Sequence, residues 1–188
     1  SVVTSFYSAP ELLRSGLDRY GVEAGLLRKN FGRDQERYED PFVAAGYSRG
    51  LSDQVTVSVR SELGSEQQSI GASAMMANAG FGQSEGALAF SDGGEGPGAL
   101  GRIAQEYRSS RFTVGGVVTA ATPDYRIFGS DRPVARLASN MFVGLNDEGY
   151  GSASLSWAYR DERNAHDFSA IGLNYSSSIM GASVFVTA

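Results

Sequence analysis

The stretch VTVSVRSEL, from Val55 to Leu63, alternates apolar and polar side chains along its length. Its odd positions are apolar except for Ser61, and its even positions are all polar. A side-chain period of two indicates a β-strand with one apolar face and one polar face. About ten further stretches show a similar alternation. The sequence therefore predicts an all-β chain.

The predicted strands follow one another with little chain between them. We place them at residues 19–28, 42–49, 55–63, 68–77, 82–91, 99–109, 111–121, 134–145, 150–160, 167–176 and 179–187. An additional short strand is predicted through Thr4 to Tyr7.

The connections between these strands alternate in length. Every second one is long and charged, namely residues 29–41, 92–98, 122–133 and 161–166, although residues 64–67 are short for this set. The others are tight turns rich in Gly, Asn, Asp and Ser. In an up-and-down sheet alternate connections lie at opposite ends, and outer-membrane barrels have short turns at one end and long loops at the other. The sequence thus predicts an antiparallel up-and-down transmembrane β-barrel of about 10–12 strands in this chain.

The alternation within each predicted strand separates side chains that should face lipid from side chains that should face water. Leu155 and Trp157, for example, share one face of their strand, and Ser154 and Ser156 share the other. We expect the apolar set to face lipid and the polar set to face a watery lumen. The charged residues predicted to line that lumen are Glu23, Arg60, Glu62, Glu85, Arg102, Glu106, Arg108 and Arg160.

Aromatic residues cluster near the predicted strand ends, where membrane barrels carry interfacial girdles. The residues assigned to these girdles are Tyr20, Phe42, Tyr47, Phe90, Tyr107, Phe112, Trp157, Tyr159 and Tyr175.

Composition restricts the chemistry that the chain can perform. Among its 188 residues there is no Cys and one His, which leaves no disulfide framework, thiolate site or poly-histidine zinc site. A net charge of -5 argues against a nucleic-acid partner, which usually requires a basic face. We therefore expect no metal and no cofactor. No apolar run is long enough for a membrane-spanning helix.

Two local motifs suggest chemistry only weakly. His166 and Asp167 could begin an acid–base pair at the edge of a loop, but the sequence shows no nucleophile elbow to accompany them. The glycine-rich loop at residues 92–98 lacks the Lys and Ser/Thr of a phosphate-binding loop and the ligand spacing of a calcium loop. We interpret the first as a solvated loop histidine and the second as an exposed hairpin loop, and we expect no enzymatic activity.

A soluble β-sandwich or lipocalin-like barrel is the structural alternative. In that fold the apolar face would be a packed core. Small residues at apolar positions, such as Ala72, Ala74 and Gly116, would leave such a core thin.

The most specific feature is the segment SAPELLRSGL at residues 8–17, followed by YGVEAGLLR at residues 20–28. It resembles the start of the barrel segment that follows the plug in bacterial fimbrial ushers. The turn GLSDQVT at residues 50–56 is also similar to a hairpin turn of that family. Ser15 stands where many ushers have Pro or an acidic residue.

The resemblance implies that residues 1–188 form one segment of a larger usher barrel in the bacterial outer membrane. It implies transport of pilus subunits, delivered by a periplasmic chaperone, past a plug domain and through a lipid-embedded pore. The plug, periplasmic and carboxy-terminal domains have no counterpart in this sequence. Since no signal peptide is visible at Ser1, we interpret the sequence as a mature or excised segment.

Two other functions remain open on the residues alone. One is a self-contained small outer-membrane barrel, either a porin-like channel or a hydrolase with its site at the rim. The other is a soluble β-sheet binding module.

Overall fold

The protein is described by a computed structural model that covers residues 12–29, 37–130, 133–147, 149–163, 166–179 and 182–187. These residues form one sheet of 11 strands in which each strand pairs antiparallel with its neighbours in sequence. The strands are β1 (Asp18–Lys29), β2 (Arg37–Ser52), β3 (Val55–Gly64), β4 (Gln68–Asn78), β5 (Gly82–Asp92), β6 (Gly98–Arg108), β7 (Phe112–Ala121), β8 (Leu137–Asp147), β9 (Gly151–Asp161), β10 (Phe168–Ile179) and β11 (Ala182–Thr187).

This architecture confirms the predicted all-β, up-and-down topology and the eleven strands predicted from residue 19 onward. The sheet is open, because within the described residues β1 pairs with β2 alone and β11 with β10 alone. The additional strand predicted at Thr4 to Tyr7 lies outside the described residues. No helix formed by the described residues has the length and hydropathy required to cross a bilayer.

The alternation of β3 persists across the whole sheet. Val59 lies beside Tyr47 of β2 and Ala72 of β4, so all three side chains project to one side, here called the apolar face. Glu62, of opposite parity, lies beside Ala44 and Ser69 on the other side, here called the polar face. The register thus carries the period of two from strand to strand and sorts the side chains of the entire sheet.

The apolar face is uncovered. Each strand contacts only the strands next to it in the chain, so within the described residues no second sheet packs on this face. Exposed fractions of 61% for Leu88, 71% for Ile103 and 73% for Ile171 are far from those of a packed core. The soluble sandwich, which requires this face to be buried, is therefore not the fold.

The connections are sorted by length, as predicted. Residues 53–54, 79–81, 109–111, 148–150 and 180–181 join strands at one end, here called the turn end. Residues 30–36, 65–67, 93–97, 122–136 and 162–167 join them at the opposite end, here called the loop end. Residues 65–67 are the short member at the loop end, as the sequence indicated.

Several strand boundaries differ from the prediction. Strand β2 ends at Ser52 rather than at Arg49, β10 runs through the predicted turn Ser177–Ser178 to Ile179, and β11 begins at Ala182.

Two further differences have identifiable reasons. Strand β2 begins at Arg37 and passes through Pro41, which was placed in a loop. Pro41 pairs with Leu26 of β1, and its missing N–H is tolerated because the β2–β3 register begins only at Phe42. Strand β8 begins at Leu137 because the residues before it fold onto the polar face.

Candidate functional site: the polar face of the sheet

The register places all eight predicted lumen-lining residues on the polar face. Glu23 is opposite Ala44, which is opposite Glu62, and the same parity extends through β5, β6 and β9. The charges therefore share a face, although the lumen itself stays a prediction. The eight residues are Glu23, Arg60, Glu62, Glu85, Arg102, Glu106, Arg108 and Arg160.

One ionic cluster on the polar face is centred on Arg60. Its Nε lies 2.9 Å from Oε1 of Glu62, and its Nη2 lies 3.8 Å from Oε2 of Glu23. The second carboxylate oxygen of Glu62 accepts a 2.6 Å hydrogen bond from the Ser69 hydroxyl. Glu62 is only 6% exposed, and these partners offset the cost of removing its charge from water.

A second ion pair joins β5 and β6. Arg102 Nε lies 3.5 Å from Oε1 of Glu85, and the exposed side-chain fractions are 20% and 9%. That Nε atom makes no well-oriented hydrogen bond, so the two side chains attract each other through their opposite charges alone. Gln83, Asn140 and Phe142 line the adjoining hollow on the polar face.

The two remaining pairs lie near opposite ends of the sheet. Arg108 Nη2 is 3.1 Å from Oε1 of Glu106 near the turn end, and both side chains are exposed. Arg160 forms an ion pair with Glu162 just beyond the end of β9. The sequence analysis did not identify Glu162 as a partner of Arg160. Residues two positions apart on a strand share a face, so the spacing of these two residues indicated the pair.

The polar face changes character between β6 and β8. Whereas β1 to β6 carry paired charges, β8 to β10 carry mainly uncharged small and amide side chains. A hydrogen bond of 2.8 Å joins the hydroxyls of Ser152 and Ser176 within this part. Its uncharged polar members are Asn140, Asn146, Ser152, Ser154, Ser156, Asn174 and Ser176.

Residues 122–130 and 133–136, here called the inner loop, fold back over the polar face at the loop end. Tyr125 and Phe128 are 4% and 3% exposed, and Tyr125 packs with Ala89 and Leu100. The sequence predicted only a long, charged connection at residues 122–133. Its large apolar side chains were the signal that it packs against the sheet instead.

One aromatic residue was assigned to the wrong face. Phe42 was placed in an interfacial girdle, but it lies on the polar face, where its ring centroid is 6.0 Å from that of Phe128. The other predicted girdle residues have the parity of the apolar face. Toward the turn end these are Tyr20, Tyr47, Tyr107, Phe112 and Tyr175, and toward the loop end Phe90, Trp157 and Tyr159.

Neither of the two weak chemical motifs lies among groups that would complete a catalytic or metal-binding site in the described residues. His166 and Asp167 are exposed, and the Tyr159 hydroxyl donates a long 3.4 Å hydrogen bond to Asp167. In the part of the chain that the structure describes, no group of three or more His, Asp or Glu side chains could hold a metal ion. The loop at residues 92–98 contains a turn closed by a 2.9 Å hydrogen bond from Gly96 N to Gly93 O.

The strand order, the sorted connections and the two faces define an open segment of an up-and-down β-barrel with one apolar and one polar face. No protein-family model matches the sequence, and no curated protein matches it either. Solved structures do share the fold, and two of them are structures that contain the P pilus usher PapC.

The structure of the P pilus usher (PapC) translocation pore is similar over 94% of this chain and 39% of that chain, with a TM-score of 0.67 and 17% sequence identity. The E. coli P pilus tip assembly intermediate PapC-PapD-PapK-PapG gives a TM-score of 0.72 at 14% identity, over 98% of this chain and 25% of that chain. The chain thus spans less than half the length of the usher chains that it matches. It has the fold of a fimbrial usher barrel segment, as its resemblance to ushers predicted.

Proposed function

We propose that this chain is part of a bacterial outer-membrane usher and forms a section of the pore wall through which pilus subunits pass. The observation that carries the proposal is the exposed apolar face on a sheet with the usher fold. Side chains such as Ile103 and Ile171, more than two-thirds exposed at 71% and 73%, are unfavourable in water and favourable against lipid tails. The polar face then borders the pore.

The partners follow from this assignment. The P pilus intermediate contains PapC together with PapD, PapK and PapG. By analogy, we expect this chain to meet pilus subunits in transit and, through other parts of the full-length protein, their periplasmic chaperone and a plug domain. Residues 1–188 would act as one barrel segment, with lipid against the apolar face. No covalent step is assigned to the segment.

Adjacent residues of β10 provide a direct test. Asn174 has the parity of the polar face, and Leu173 has that of the apolar face. A photo-crosslinking amino acid would replace each in turn in the full-length protein, expressed together with its pilus subunits. We expect Asn174 to capture a pilus subunit during assembly, identified by a subunit-specific antibody, and Leu173 to capture none.

The outcome separates the proposal from its alternatives. If neither position captures a subunit while pili reach the cell surface, subunits do not pass this wall and the proposal is wrong. A purified protein that conducts ions but never contacts a subunit would be a self-contained channel.

A further inference from the structure

The strands beneath the inner loop provide a complementary apolar surface against which the loop packs. The Tyr125 side chain lies against Ala89 and Leu100, which are 3% exposed each, and Ile127 and Val134 pack on the same cluster. These strand residues have polar-face parity. Their apolar surface is therefore kept from solvent by the loop rather than by lipid.

Glycines allow the loop to approach the sheet closely. A Cβ atom at Gly98 would overlap the backbone of Tyr125, so a larger residue would displace the loop there. A Cβ atom at Gly64 would lie 3.1 Å from the Phe128 ring. The two surfaces are thus complementary in shape, because the strands contribute small residues and the loop contributes large ones.

Hydrogen bonds fix the middle of the loop. The Ser91 hydroxyl accepts a 3.0 Å bond from Arg126 N, and the Gln67 amide donates to Arg126 O at 3.1 Å and accepts from Gly129 N at 3.1 Å. Together these bonds satisfy backbone groups that would otherwise be covered without partners.

Further bonds fix the two ends of the loop. Arg163 donates to Val134 O at 3.3 Å and also to Ala121 O. Arg136 N donates to Asp161 O at 2.9 Å, and Arg136 Nε donates to the Asp161 carboxylate at 2.6 Å. The hydrogen bond and the charge of Asp161 raise the pKa of Arg136 above its ordinary value.

We propose that the inner loop is a permanent constriction of the pore at its loop end, which restricts the leak of small solutes and stays seated while subunits pass. This inference rests on the proposed function, since it takes the polar face as the pore wall. A moving gate would need few contacts in its closed state. The inner loop instead has a buried apolar cluster, matched glycines and hydrogen bonds at its middle and at both ends.

A disulfide tests whether the loop moves. Because Ser91 Oγ lies 3.0 Å from Arg126 N, the two Cα atoms are within the span of a disulfide. We would introduce Ser91→Cys and Arg126→Cys together into an otherwise cysteine-free full-length protein. Oxidation should crosslink the protein in cells without reducing the number of surface pili, relative to the reduced protein and to each single variant.

Two results of this experiment would overturn the proposal. If no crosslink forms under oxidant, the loop does not occupy this seat. If pili are lost on oxidation and return with reductant, the loop is a gate. If the cysteine-free parent protein, with Ser91 and Arg126 intact, assembles no pili, the proposed function itself is wrong.

A leak assay tests the constriction without relying on pili. The purified full-length protein, placed in liposomes, should admit a neutral oligosaccharide several-fold faster when Tyr125→Ser and Phe128→Ser are combined. Asp124→Ser, in the same loop but outside its buried cluster, serves as the control and should leave the rate unchanged. Heat-modifiable gel mobility confirms that each barrel is folded. Equal rates in folded variants and wild type would show that the loop does not narrow the pore.

Discussion

The ring of Phe128 lies directly over Gly64, close enough that a Cβ atom at that glycine would be 3.1 Å from the ring. These residues are distant in sequence, and their contact joins the inner loop to the carboxy-terminal end of β3. The loop therefore contributes to the stability of the sheet as well as to its shape.

This contact predicts that Gly64→Val destabilises the protein. The added methyl groups would displace Phe128 from its seat, and overpacking of this kind typically costs about 1–3 kcal/mol. The urea midpoint of the protein in lipid vesicles would measure the loss.

Gly86→Val is the matched control for this prediction. Gly86 is also within a strand, but a Cβ atom there meets nothing within 4 Å. We expect this variant to unfold at the wild-type midpoint or above it. Equal losses for both variants would show that the strand, and not the Phe128 contact, is sensitive to the change.

The assignment of the two faces predicts opposite effects for neighbouring residues of β9. Leu155 lies on the apolar face between Val143 and Leu173, whereas Ser154 lies on the polar face beside Gly144 and Asn174. Leu155→Arg should cost roughly 2–4 kcal/mol in a bilayer, the cost of a charge at mid-depth. Ser154→Arg should cost much less, and equal folding yields of the two variants in vesicles would contradict the assignment.

The Arg60 cluster predicts measurable coupling between two charges. Arg60→Met leaves the carboxylate of Glu62, 6% exposed, without its nearest cation, and should cost about 1–3 kcal/mol. Adding Glu62→Gln should restore part of that loss, because the unpaired charge is then removed. A double-mutant cycle on urea midpoints measures the coupling, and purely additive effects would show that the pair is not coupled.

The single tryptophan predicts a lipid contact that can be measured directly. Trp157 lies on the apolar face, stacked against Tyr159 with a centroid distance of 6.1 Å. In full-length protein whose other tryptophans are replaced by Phe, its fluorescence should be quenched by lipids with brominated chains. Quenching by aqueous acrylamide alone would place this residue in water instead.

The sequence was most informative where side chains repeat with a fixed period. Alternation located β3 and its neighbours and placed residues such as Arg60 and Glu85 on one face, because period and register are local properties of a strand. Ion-pair partners could be anticipated only where they lie two positions apart on one strand. Arg102 and Glu85 meet through register between strands, which alternation alone does not specify.

The inner loop could not be predicted in the same way. Its contacts join residues far apart in the chain, as Gln67 and Arg126 show, and no periodic pattern records them. Tyr125, Ile127 and Phe128 nevertheless signalled burial, since three large apolar side chains are costly on an exposed loop. Phe42 was misplaced for the same reason, because its partner, Phe128, comes from that loop.

Each cation of the Arg60 and Arg108 pairs has its counter-charge on the same strand. Such a pair acts as a small dipole, and the field of a dipole decays faster with distance than that of a lone charge. Water wets a surface of this kind, and the pairing weakens the electrostatic attraction that a passing solute would meet there. If the polar face borders a transport pore as proposed, we expect cargoes of quite different isoelectric points to travel along it with similarly low friction.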